Sequence, residues 1–179
     1  MEVTPPCYTA IYALVQYLLV MPFGTVINST EDAVAVILKI LESAQHEIEF
    51  LSSPSFLSFA GTYDTTQSAK RFIEKDGVVR GIVPVSRANV EGVRMRLGIG
   101  EDLRHSDQLH ELFMFVGDRK YSISTINIGI QEYTRDTPFT ALWSESPAYA
   151  EFLLASFESA WAEAVPAAER IQELLEHGG

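Results

Sequence analysis

The 179-residue chain has one cysteine, Cys7, so no internal disulfide can form. That fits a reducing compartment and a cytoplasmic location. Cys7 borders an apolar segment with no basic neighbour to lower its pKa, so it reads as a structural thiol. Positive charge is scarce too: 13 Lys and Arg against 24 Asp and Glu give a formal net charge of −11. DNA carries one phosphate charge per ~1.7 Å, so this balance argues against direct nucleic-acid binding. Arg94, Arg96, Arg104 and His105 form the one local basic cluster, and it reads as a solvated face among nearby acids. Long apolar runs are missing. The stretch from Tyr8 to Phe23 carries Thr9, Gln16 and Pro22, whereas a membrane span takes ~20 predominantly apolar residues. The opening "MEV" lacks the positive start of a signal peptide. No membrane association is expected, and residues 8–23 read as a buried element or a dimer contact.

Several catalytic and metal motifs are also absent. There is no CxxC, HExxH or GxSxG. His46, His105, His110 and His177 do not cluster with cysteine, and His105, His110 and Asp107 make only a weak surface arrangement, so no metal is expected. "GIGED" (98–102) lacks the strand-to-helix setting of a dinucleotide loop, so no cofactor is expected either.

What remains is a globular composition, 47% hydrophobic and 21% charged, without repeats or linkers. Residues 8–21 have mixed periodicity that slightly favours helix. In "VINSTEDAVAVILKILESAQ", Ser29 or Thr30 is a candidate N-cap, followed by Glu31 and Asp32. Val34, Ile37, Leu38, Leu41 and Ala44 then recur at helical spacing. "HEIEFLSS" (46–53) reads as a strand and 68–77 as a short helix closed by Gly77. Residues 78–86 read as a buried central strand whose pairing ends at Pro84. A helix over 88–100 and a short strand over 101–105 follow. Leu112–Val116 and Tyr121–Ile128 form two strands around a turn at Gly117–Lys120. Residues 139–146 read as another strand. Two helices close the chain, the first presenting Tyr149, Phe152, Leu153, Phe157 and Trp161 on one face. The order predicts an α/β fold, a mixed β-sheet flanked by helices on both faces. Residues 1–29 would be an N-terminal apolar arm and 30–179 the domain, with its C-terminal helices.

The most informative stretch is "LHELFMFVGDRKYSISTINIG", Leu109 to Gly129. His110 stands 17 positions before Asn127, with Ser124 and Thr125 ahead of the asparagine. Together with "ILKILESAQHEIEFLSS", this "H…D…(S/T)xN" pattern resembles one phospholipase D-type repeat. The closing "ALWSESPAYAEFLLASFESAWAEA" is similar to the end of the phospholipase D-like effector-binding domains of TrmB-type transcriptional regulators. The resemblance covers roughly residues 30–165 and implies an α/β/α sandwich.

That superfamily's catalytic signature is a histidine, a lysine two positions on, an aspartate seven positions on, then Gly-Ser-x-Asn. Residues two apart on a strand share a face, so histidine and lysine both reach the phosphate. The histidine attacks phosphorus, a second repeat's histidine protonates the leaving group, and lysine, serine and asparagine hold the phosphoryl oxygens. Here His110 takes the nucleophile position, Leu112 the lysine position and Gly117 the aspartate position, with Asp118 one step late. Ser124, Thr125, Ile126 and Asn127 take the positions of Gly-Ser-x-Asn. An apolar residue replaces the cation that would stabilise transition-state charge, usually the largest catalytic contribution.

The resemblance therefore implies a non-catalytic sensor domain that binds a small-molecule ligand or a protein partner and pairs as a homodimer. Its candidate ligand contacts are His110, Ser124, Thr125, Asn127, Trp143 and Arg104. Such regulators carry a winged-helix DNA reader ahead of this domain, and fewer than 30 residues precede the first capped helix here. One alternative is a homodimeric phosphodiesterase or nuclease using His110 from each subunit, with Asn127. Another is an interaction module without a ligand. Ordinary roles compete at each position: a hydrogen-bonded strand-end histidine at His110, turn chemistry at Asp118 and a core aromatic at Trp143.

Overall fold

The computed structural model describes residues 24–53, 65–108, 113–125 and 140–176. His110, Leu112, Asn127 and the 8–21 segment lie outside the described residues. The described elements follow the order β1 (Thr25–Ile27), α1 (Thr30–Ser43), β2 (Glu47–Leu51), α2 (Thr65–Ile73), β3 (Val78–Val83), α3 (Val90–Gly98) and β4 (Asp102–His105). The hairpin strands β5 (Met114–Gly117) and β6 (Tyr121–Thr125) come next. Then follow β7 (Ala141–Ser144), α4 (Pro147–Glu163), β8 (Val165–Pro166) and α5 (Ala167–Glu176).

Eight described strands make one mixed sheet in the order β1-β7-β6-β5-β2-β3-β4-β8. β2, β3 and β4 run parallel, and every other described pairing is antiparallel. One face carries α1, α2, α3 and α5 over Ile48, Phe50, Val79, Leu103, Phe115 and Ile123. The other face carries α4 over Leu51, Ile82, Met114 and Val116. Alternation along β2 and β5 sends successive side chains to opposite cores, so both strands are buried on both sides. The expected mixed sheet with helices on both faces is the architecture found.

Local chemistry sets the boundaries. Ser29 caps α1, its Oγ accepting the Asp32 N–H at 3.0 Å, with Glu31 and Asp32 in the first turn. α1 buries Ala33, Val34, Ile37, Ile40 and Leu41; Leu38 is only half-buried, because Ile40 turns to the sheet instead. β3 ends at Val83, immediately before Pro84. α2 begins at Thr65, three residues earlier than the spacing predicts. Its left-handed terminal residue is Asp76 (φ 66°), not Gly77. Gly77 serves close approach: a Cβ there would lie 2.4 Å from the Phe72 ring.

One further expectation stands and one is corrected. Gly117 ends β5 and opens the expected turn at Gly117–Lys120, its carbonyl accepting the Lys120 N–H, and a Cβ on it would lie 2.5 Å from Ile40 Cγ2. Its lack of a side chain lets α1 settle on the sheet. α4 buries Ala150, Leu154 and Phe157, whereas Phe152 is 66% exposed. At ~3.6 residues per turn, Phe152 stands about 200° around the helix from Ala150 and cannot share its stripe.

The α4 face is unusually polar at its centre. Glu49, 1% exposed on β2, accepts from Arg80 Nη2 at 2.9 Å, and the same nitrogen reaches Glu158 of α4 at 2.7 Å. The Arg80 guanidinium lies over the Phe157 and Trp161 rings. Burial pushes the Glu49 carboxyl above its ordinary value, against the lowering effect of the Arg80 hydrogen bond. Its Oε2 has no hydrogen-bond partner among the described residues.

Candidate ligand site

The sheet topology gathers one rim. The carboxyl ends of β2, β3 and β4 meet the start of β5 and the end of β6, since Leu51 pairs with Met114 and Met114 with Ser124. Open α/β sheets bind ligands at the carboxyl ends of their parallel strands, where strand order reverses. Here β2 leads outward to β3 and β4, and the chain then returns to β5 on the other side of β2. His110 precedes β5 and Asn127 follows β6, so the described strands next to both open onto this rim.

The described candidates do not converge. Ser124 faces α4, its hydroxyl 2.7 Å from the Tyr149 hydroxyl. Thr125 faces the other way; its Oγ1 accepts the Phe113 N–H at 3.3 Å, and its own N–H donates to the Phe113 carbonyl at 3.0 Å. Trp143 is next to Ile123 on β7, stacked on Tyr121 at 6.2 Å under the Lys39 ammonium. It lies two residues along β7 from Ala141, which pairs with Thr125 at the rim. Arg104 is on β4, with β3, β2 and β5 between it and β6. Its guanidinium donates to the Trp161 carbonyl at 2.8 Å and stacks on the Trp161 ring, closing the C-terminal end of α4. Ser124, Thr125 and Trp143 thus share neighbouring strands, and Arg104 stands apart.

Asp118 has a defined role. Both carboxylate oxygens turn to the α1–β2 connection, accepting the N–H groups of Gln45 (2.7 Å), His46 (2.9 Å) and Glu47 (3.0 Å). Partial burial works to raise its pKa; the three backbone bonds outweigh it and hold the carboxyl below its ordinary value. Asp118 and Arg119 take left-handed conformations, φ 50° and 54°. This is the positive-φ pair of a tight hairpin, closed by the Lys120 N–H on the Gly117 carbonyl. Arg119 bridges Glu47 and Glu151, which raises its pKa.

Sequence reasoning missed three buried polar features, His105 and Asn89 near the rim and the Arg96–Glu101 pair at the amino end of β4. His105 is buried, and its Nδ1 accepts the Val85 N–H at 2.9 Å, which leaves Nε2 to face Asp107 at 3.5 Å. Asn89 ties the β3–α3 connection, accepting from the Ser86 N–H and donating to the Pro84 carbonyl, both at 2.8 Å. Arg96 and Glu101 form a buried ion pair of 2.7 Å, with the guanidinium 4.9 Å from the Phe50 ring centroid. Burial pushes the Glu101 carboxyl up, opposed by Arg96. The signal for that pair was an Arg and a Glu flanking the Gly98–Gly100 helix end.

Arg96 also lines a narrow cavity between α1, α2 and the sheet, with Ile37, Leu41, Phe50, Ser52, Thr65 and Phe113 among its walls. Its volume is about 20 Å³, against the ~10–15 Å³ a single water needs. Among the described residues no group of three or more His, Cys, Asp or Glu side chains is placed to hold a metal. No helix among them is long and apolar enough to cross a membrane.

The sequence matches no family model and no curated relative. Its fold does have solved counterparts. The archaeal chromatin protein TrmBL2, whose structure is described as showing a novel mode of DNA binding, superposes with a TM-score of 0.63 at 14% identity. The match covers 89% of this chain and 62% of that one, so this chain spans about three-fifths of the archaeal protein. The phospholipase D family member Nuc from Salmonella typhimurium gives a TM-score of 0.62 at 15% identity, covering 79% of this chain and 95% of Nuc. NucT from Helicobacter pylori gives 0.61 at 10% identity, covering 80% and 98%. The fold is phospholipase D-like and similar to the corresponding domain of TrmBL2.

Proposed function

We propose that this phospholipase D-like chain is a regulatory domain that binds a small ligand or a partner and does not cleave phosphodiesters. The observation that carries the reading is Asp118. The one acid near the superfamily's aspartate position directs its carboxylate at three backbone N–H groups of the α1–β2 connection. Gly117, at the aspartate position itself, has no side chain and lies against Ile40. Leu112 stands where a phosphate-holding lysine would be needed. The likeness to TrmBL2 supports a regulatory role, and the net charge of −11 favours a ligand or a protein over nucleic acid as its direct target. On this reading the chain is cytoplasmic and pairs with a second copy, and His110, Ser124, Thr125, Asn127 and Trp143 are the candidate ligand contacts.

Thermal denaturation against a panel of sugars, nucleotides, phosphorylated metabolites and organic acids tests it. A ligand that binds only the folded state raises the midpoint by mass action. At least one class is expected to raise it in a saturable manner. A flat response across the panel, together with no partner by pull-down, would contradict the reading.

A further inference from the structure

We propose that the uncharged segment 8–23 docks on its own chain, covering an apolar strip on the α4 side of the sheet that runs from Val26 of β1 to Phe152 of α4. The sheet is wider than the helix on that side. Eight strands at ~4.8 Å spacing span about 34 Å, and a helix with its side chains is about 10–12 Å across. Among the described elements α4 alone covers this face, and it packs on Leu51, Ile82, Met114 and Val116 of the central strands β2, β3 and β5. β7 and β1 lie beyond it at the edge of the sheet.

The strip is continuous. Ile27 packs against the opposite core, so its neighbour Val26 points to the α4 side. Val26 pairs with Leu142, and Leu142 with Ser124. The Ser124 hydroxyl meets that of Tyr149 at 2.7 Å, and the Tyr149 ring stacks on Phe152 at 6.2 Å. Leu142 and Tyr149 are half-buried, whereas Val26 is 52% and Phe152 66% exposed. A lone exposed hydrophobe needs no explanation; a linked series at the margin of a core marks a surface that something covers.

The chain itself supplies the cover. From Val3 to Thr30 it has no Asp, Glu, Lys, Arg or His, and within 8–23 only Thr9, Gln16 and Pro22 are not apolar. Leaving such a segment in water forfeits the dominant favourable contribution to folding. The segment also joins at the strip: Gly24 lies against Leu142, and a Cβ on it would be 2.8 Å from Leu142 Cδ1. α4 begins at Pro147, three residues after β7 ends, and Phe152 is only ~7.5 Å further along its axis. Sixteen residues reach about 24 Å even at a helical rise of ~1.5 Å each. The 126–139 connection also starts beside the strip, but it carries Glu132, Arg135 and Asp136, which favour water. Residues 54–64 lead to α2 on the opposite face.

Photocrosslinking of the full chain tests it. Phe152 is replaced by p-benzoylphenylalanine, and 15N-labelled and unlabelled chains are refolded together, irradiated and mapped by peptide mass spectrometry. The same probe at Met95, 53% exposed on α3 at the other face, is the control. The probe at position 152 is expected to join residues 8–23, in products of one isotopic composition, and the probe at 95 is not. Mixed-isotope products would place the segment of a second copy on the strip and overturn the proposal. Crosslinks to 126–139, equal capture by the control, or no crosslink at all would overturn it too. A second measurement is independent of the probe. Phe152→Ala should lower Tm by about 4–8 °C if the ring is covered, against less than about 2 °C for a ring standing in water. The smaller change would also refute the docking.

Discussion

Replacing Asp118 with alanine separates a structural acid from a catalytic one. The carboxylate accepts three backbone N–H bonds between 2.7 and 3.0 Å from residues more than seventy positions earlier. Bonds to a charged acceptor are worth ~1.5–3 kcal/mol each when shielded. Gln45 and His46 are exposed, so water replaces much of what they lose, and about 1 kcal/mol apiece is the appropriate figure. Alanine at a φ of 50° adds ~1 kcal/mol, since a Cβ disfavours the left-handed region and Asp tolerates it better. The sum is about 4 kcal/mol, or roughly 8–16 °C in Tm for a domain of this size. Asp118→Gly removes the backbone penalty and should cost about 3 kcal/mol. Asp118→Asn keeps one acceptor oxygen and the turn preference and should cost about 1–2 kcal/mol. Urea titration followed by circular dichroism reads these as midpoint shifts at constant slope. An Asp118→Ala chain within about 0.5 kcal/mol of the parent would refute the structural assignment of Asp118.

Two other perturbations probe the packing and the buried acids. Gly117→Ala pushes a methyl to 2.5 Å from Ile40 Cγ2 and 3.3 Å from Ala44 Cβ; the same titration should show a loss of about 1–3 kcal/mol from overpacking, and no loss would mean that α1 does not sit this close. Glu49 and Glu101 have pKa values raised above 4.5 by burial. Their stability is full below the ordinary value and is lost as pH rises through the folded one. Asp118 behaves oppositely: its contribution is present above 3.8 and is lost as pH falls through its lowered value. Tm should therefore rise as pH drops from neutral toward 4.5 and fall again below 3.8. Glu101→Gln should flatten the rising limb; an unchanged profile would show that Glu101 is not the titrating group.

Elements set by local chemistry were legible in the sequence. Ser29 with Glu31 and Asp32 announced α1, Pro84 ended β3, and the Gly-Asp pair marked the hairpin. Partnerships made by the fold were not. Asp118 reads as turn chemistry until α1 and β2 come beside it, because its acceptors serve backbone groups remote in sequence. α4 offers apolar residues around much of its circumference, so periodicity could not tell the Ala150–Leu154–Phe157 stripe from the side carrying Phe152. Arg104 looked like a cation for a ligand, and the structure engages it with the carbonyls ending α4. Arg96, placed with a solvated cluster by its neighbours in sequence, is buried because α3 turns it toward Glu101 and Phe50.

The central claim is that this phospholipase D-like fold binds without cleaving. The purified chain, incubated with bis-p-nitrophenyl phosphate and with single-stranded DNA beside a His110→Ala control, tests it most directly. The account predicts no turnover above the control with either substrate. Hydrolysis that His110→Ala abolishes would contradict it and establish the homodimeric phosphodiesterase in its place.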